Sequence, residues 1–126
     1  MQTICTACRG FCLLAVAIFL FTQSSHAQDP AKIDSTHHKV IFENDQVRVF
    51  RVTYTPHDTV AMHSHPNSVV VCLTDINLRI TLPDGKTEAH QAKAGQAIWL
   101  PATRHCVENV GEKDVEMIHV ELKGTK

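Results

Sequence analysis

Met62-His63-Ser64-His65-Pro66, followed by Gly95-Gln96-Ala97-Ile98-Trp99-Leu100-Pro101 and His105-Cys106-Val107-Glu108-Asn109, is the part of this sequence that decides its fold. Side chains alternate faces along a strand, so two histidines spaced two apart point the same way. Their Cβ atoms then lie about 6 to 7 Å apart, close enough for two imidazoles to straddle one ion with bonds of about 2.1 Å. A third histidine, His105, follows about forty residues later among turn and strand signals. The pattern outlines a metal pocket inside a small β barrel.

The flanking sequence supports strands throughout. Residues 47–55 are rich in Val, Phe, Thr and Tyr, and Pro56-His57-Asp58 ends that run. Residues 59–65 form a short strand that stops at Pro66-Asn67, a turn signal. Residues 69–74 are a continuous apolar run, the mark of a buried strand. Leu78, Ile80 and Leu82 alternate with Asn77, Arg79 and Thr81, as in a half-buried strand. Pro83-Asp84-Gly85 closes a hairpin, with proline at the first corner and glycine in the left-handed position after it. Strands at 86–91, 96–100, 105–109 and 115–122 follow, separated by Ala94-Gly95 and Gly111-Glu112-Lys113. Glu43-Asn44-Asp45 reads as a polar turn. About eight short strands, with no window of clean helical period, predict an antiparallel all-β sandwich or barrel.

The chain has 126 residues, so one domain is expected. Residues 1–27 read as a secretory signal. Arg9 is the one charge ahead of the unbroken apolar run 11–21, and Ser25 and Ala27 are small residues before Gln28. That run is too short to span a bilayer, which takes about twenty residues. The expected location is periplasmic or secreted. Residues 28–39 are polar and contain Pro30, and they read as a flexible leader in which His37-His38 is a solvated pair. The barrel is expected over residues 40–123.

The formal net charge is −1, and loss of Arg9 with the signal makes the remainder slightly more acidic. Nothing in that balance points to nucleic acid, and no cationic amphipathic stretch points to a membrane after signal cleavage. Cys5, Cys8 and Cys12 leave with the signal, which leaves Cys72 and Cys106. These two are open to either a disulfide or two separate thiols.

The quoted motifs resemble the cupin superfamily, in particular its small single-domain members. Gly95, Pro101, His105 and Asn109 match the family's second motif, and His63-Ser64-His65 matches the heart of the first. The resemblance spans nearly all of the chain beyond residue 39. It implies an antiparallel double-stranded β-helix, a jelly-roll barrel. It also implies a tendency to homodimerise through edge strands.

The sequence departs from the family pattern in several places. The glutamate that follows the first histidine pair is missing, since the chain continues Pro66-Asn67-Ser68-Val69-Val70. Pro56-His57-Asp58 stands where a glycine precedes that pair, Thr103 replaces a glycine, and the stretch from Pro101 to His105 is one residue short.

The expected site is therefore three imidazoles, His63, His65 and His105, around a divalent transition metal. Zn, Cu, Fe, Ni and Mn all accept neutral imidazole, and the sequence does not choose among them. Without the carboxylate the ion keeps its full charge, so an anionic small molecule is the expected ligand in the open position. The resemblance permits dioxygenase-like chemistry. The alternative is a non-enzymatic cupin that binds a small molecule through a degraded metal site.

Other residues attract secondary expectations. Asn67 and Ser68 could offer an oxygen where the glutamate is absent, or serve the turn. His57 reads as a surface-loop residue, Glu108 as an outward charge, and Phe50 and Trp99 as core. His119 is out of phase with Ile118, Val120 and Leu122, so if those face the core it faces away. There is no GxSxG nucleophile motif and no phosphate-cradling glycine loop.

Overall fold

In a computed structural model, residues 28–124 are described, and the reading of residues 1–27 as a signal lies outside them. A short helix, α1 (Pro30–Ile33), precedes nine strands. They are β1 (His38–Glu43), β2 (Val47–Tyr54), β3 (Thr59–His65), β4 (Ser68–Cys72), β5 (Ile76–Thr81), β6 (Thr87–Ala92), β7 (Ala97–Leu100), β8 (Thr103–Asn109) and β9 (Val115–Leu122). One sheet has five strands in the order β1-β2-β9-β4-β7, and the other has four in the order β3-β8-β5-β6. Every pairing is antiparallel. Eight of these strands fall where the sequence predicts them, and β1 is the addition.

The turns follow their residue chemistry. Gly85 and Gly95 both take positive φ, as the hairpin and the Ala94-Gly95 turn require. Asn44 Oδ1 accepts from the amides of Gln46 and Val47, which builds the turn between β1 and β2. Asn109 fastens three segments at once. Its Nδ2 donates to the carbonyls of Tyr54, Thr55 and Lys113, and its Oδ1 accepts from the Gly111 amide.

The interior is made by alternate residues of both sheets. Phe50, Val52 and Tyr54 of β2, Val70 of β4, and Val115 and Met117 of β9 face Val60, Ile76, Leu78, Ile80 and Val107 of the other sheet. Burying each such side chain is worth about 1.5–3 kcal/mol. The outer face of the five-stranded sheet is also apolar. Register places Phe42 beside Val49, Val49 beside Val120, Val120 beside Val69, and Val69 beside Trp99, one row across all five strands.

That outer row corrects two expectations. On β9 the inward residues are Val115, Met117, His119 and Glu121, and Ile118 and Val120 lie outside. Apolar residues on both faces of the strand misled the phase argument. Trp99 is 56% exposed and belongs to the outer row, while Phe50 is fully buried as expected.

Residues 28–39 are not a solvated leader. Asp29 caps α1 and also pairs with Arg48 at 3.0 Å, and the Ser64 amide donates to the Gln28 carbonyl at 3.1 Å. His37 bonds Asp34 at 2.6 Å and Asp58 at 3.0 Å. His38 is 2% exposed, because α1 and the following turn deliver it to the inner end of β1. Cys72 points into the core from β4, and Cys106 is half-buried on the opposite face of β8, so both are free thiols. Among the described residues no helix is long and apolar enough to cross a membrane.

Candidate metal centre

β3 does not keep a strict period of two. Val60 pairs with Val107 and His63 with His105, so β3 carries one extra residue between those pairs. This bulge turns Val60, His63 and His65 all inward. It also frees the Ala61 carbonyl, which accepts from His63 Nδ1 at 2.7 Å. A carbonyl cannot donate, so the proton sits on Nδ1 and Nε2 presents its lone pair. That Nε2 is buried and has no hydrogen-bond partner.

The other rings gather around it. His105 lies directly across from His63, with ring centroids 4.9 Å apart, and its centroid is 5.4 Å from that of His65. His63 and His65 are 4.8 Å apart. The three rings singled out in the sequence are thus neighbours, but among the described residues the set whose donor nitrogens all come within 4.8 Å of one another takes His38 in place of His105. His38 joins them from β1, with its centroid 5.2 Å from His63. One nitrogen from each of His38, His63 and His65 lies within 4.8 Å of the others. Tyr54 hydroxyl holds His38 Nε2 at 3.3 Å, while His38 Nδ1 is buried without a partner.

Two further side chains complete the cluster. His65 Nδ1 hydrogen-bonds Glu121 Oε1 at 2.7 Å, and both groups are buried. A carboxylate behind one ring nitrogen fixes the ring and leaves the other free for an ion. His119 stacks on His65 with centroids 4.2 Å apart, and its Nε2 also lacks a partner.

Burial sets the charge state of the cluster. It pushes His65 and His105 down to about 3 and His38 to about 4, and the neighbouring imidazoles add to the effect. His63 and His119 are lowered for the same first reason, burial. Burial also raises the Glu121 carboxyl to about 7. Neutral imidazoles with free lone pairs are the form that binds a cation. A buried polar atom with no partner costs about 1–3 kcal/mol, and His38, His63 and His119 each carry one. A donor-rich pocket of this kind fits a divalent transition metal better than it fits apolar packing.

Beside the rings lies a cavity of about 180 Å³, bordered by His65, His105 and His119 and otherwise walled mainly by hydrocarbon. Its β4 wall is Val70, because β4 turns Ser68, Val70 and Cys72 inward where the resemblance expects a carboxylate. Asn67 serves the turn, with Oδ1 accepting from the Ala102 amide at 2.8 Å, whereas Ser68 Oγ is buried and unpaired. His57 sits exposed on its loop, and Glu108 points outward beside Arg79.

Sequence reasoning missed His38, His119 and Glu121. The alternation of β9 held a signal for the last two, once the phase is set by Val115 and Met117.

No family model matches the chain, and no curated protein matches it. Solved structures do. A cupin domain from Bordetella pertussis Tohama I is 25% identical, with a TM-score of 0.64 over 69% of this chain and 92% of that one. A double-stranded β-helix protein from Klebsiella pneumoniae is 20% identical, with a TM-score of 0.56 over 70% and 76% of the two chains. An RmlC-like cupin from Methanocaldococcus jannaschii is 15% identical, with a TM-score of 0.55 over 68% and 77%. The chain has the antiparallel double-stranded β-helix fold of these proteins, and its likeness to the Bordetella domain supports a small single-domain protein of the cupin superfamily.

Proposed function

We propose that this protein is a secreted or periplasmic metal-binding cupin that acts on, or captures, a small molecule beside a histidine centre. In this reading His38, His63 and His65, whose donor nitrogens lie within 4.8 Å of one another, hold the ion, and His105 is the further donor from the facing strand. The observation that carries this is the buried, unpartnered Nε2 of His63, set by the bulge carbonyl of Ala61.

A divalent ion bound there supplies Lewis acidity. The chain's own groups do the rest. Ala61 and Glu121 fix the orientations of His63 and His65, Tyr54 holds His38, and a mainly hydrocarbon wall borders the open side. Donor number bears on metal identity. Bound by four imidazoles, zinc would be saturated, whereas iron, manganese, nickel or copper would leave room for a ligand. An enzyme built on such a site suits dioxygenase-like oxidation. Val70 in place of a carboxylate supports a second reading, a binding protein with a degraded metal site. The secreted location rests on the apolar run 11–21 and the small residues before Gln28.

The test is metal analysis of tag-free protein beside His63→Ala and His105→Ala. The wild type is expected to carry close to one equivalent, with both variants depleted. Equal metal content in all three overturns the ligand assignment. N-terminal sequencing of the exported chain is expected to begin at Gln28.

A further inference from the structure

The cavity next to the rings has a chemistry of its own. Val70, Ile76, Leu78, Ile80, Val107 and Met117 are among the apolar side chains of its wall, and no lysine or arginine lines it. Glu88, at the same cavity, is the one charged side chain among the lining residues. An anion entering here has no lysine or arginine to meet, the one nearby imidazole outside the cluster, His90, is already held by Glu88 at 3.3 Å, and its desolvation is costly. A cavity of about 150 Å³ lined by aliphatic and aromatic side chains accommodates benzene. At about 180 Å³ this one has room for a single ring with a small substituent.

His119 supplies the second observation. It lines the cavity, it is buried, and its Nε2 has no hydrogen-bond partner in the protein. A hydroxyl both donates and accepts, so it satisfies this nitrogen in either tautomer, whereas a carboxylate can only accept.

We propose that the cavity binds a compact, uncharged, phenol-sized molecule whose hydroxyl group hydrogen-bonds His119 Nε2. This deepens the reading above by naming the ligand class, and it rests on the barrel interior being the site. His119 acts here as a specificity residue. The hydrocarbon walls bind the ring, and His119 selects for the polar substituent. It replaces the anionic ligand expected from metal charge alone with one matched to the walls.

The experiment is calorimetric titration of the full exported chain with phenol, toluene and benzoate, with metal content measured on the same samples before and after chelation. Phenol is expected to bind about tenfold more tightly than toluene, the factor that one hydrogen bond provides. Benzoate is expected to bind at least tenfold more weakly than phenol. His119→Leu is expected to bring phenol down to the level of toluene and leave toluene unchanged. Ile80→Phe, which fills the cavity, is expected to abolish binding of both. Should that variant unfold, Val107→Leu is the milder substitute and is expected to weaken both ligands. Benzoate binding as tightly as phenol overturns the proposal. So does phenol affinity that is indifferent to His119→Leu, or that vanishes on chelation. Phenol binding in a chain that never holds metal sustains this inference and defeats the metal assignment. Metal without phenol binding does the reverse.

Discussion

The two sheets wall one interior and furnish it differently. The four-stranded sheet brings His63, His65 and His105 on neighbouring strands, in the spacing that makes the motif. The five-stranded sheet brings His38, His119 and Glu121 from the far ends of the described chain, together with the largest apolar side chain of the core, Phe50. The four-stranded sheet offers most of the lone pairs. The five-stranded sheet adds that of His38, backs His65 with Glu121 and shapes the space beside them. A metal centre in this fold is therefore a property of two surfaces, and motif spacing describes only one of them.

The sharpest way to break that contrast is through packing. Phe50→Ala removes a fully buried ring that touches both His38 and His119 edge-on, at centroid distances of 6.0 and 6.4 Å. The expected cost is about 3–5 kcal/mol in denaturant unfolding. A cost under 1 kcal/mol (about the scale of a surface substitution) would mean that the five-stranded sheet does not support the cluster. Next in size is Glu121→Gln, which leaves the donors of the four-stranded sheet intact and weakens only the group behind His65. Metal affinity is expected to fall about 10–100-fold. Unchanged affinity in a chelator competition assay would show that the carboxylate has no part in holding the ring.

The smallest effect concerns the clasp that ties β1 to the turn between the sheets. Burial alone lowers the His37 pKa, but its hydrogen bonds to Asp34 and Asp58 outweigh that and raise it above 6.5. A raised pKa means the stabilisation is fully present below about pH 6.5 and is lost as pH rises through the folded value. His37→Ala is therefore expected to cost under about 1 kcal/mol near pH 6 and almost nothing near pH 9. A cost that grows with pH would contradict this. The rings at the centre run the other way. Their pKa values are depressed, so without metal the fold loses stability as pH falls from about 6.5 towards 4.

The sequence exposed the four-stranded contribution because strand alternation and turn residues are local. His63 and His65 share a face whatever the rest of the chain does, and Gly95, Pro101, His105 and Asn109 mark a turn and a return. His38 was invisible for the opposite reason. Its neighbours are polar, and its burial depends on α1 and on pairing with a strand that begins nine residues later at Val47. His119 and Glu121 were obscured by a sheet that is apolar on both faces. When Ile118 and Val120 suit an outer row as well as Met117 suits the core, alternation alone gives two equivalent phases. The bulge at Ala61 was equally hidden, since nothing in Thr59-Val60-Ala61-Met62 distinguishes a bulged strand from a regular one.

The amide of Ser64, midway between the two paired imidazoles, is tied to the carbonyl of Gln28. The knot ties the residue that signal removal would expose to the backbone that aims both rings. A chain cut ahead of Gln28 would therefore begin against the strand that carries His63 and His65, one backbone hydrogen bond from the segment between those rings.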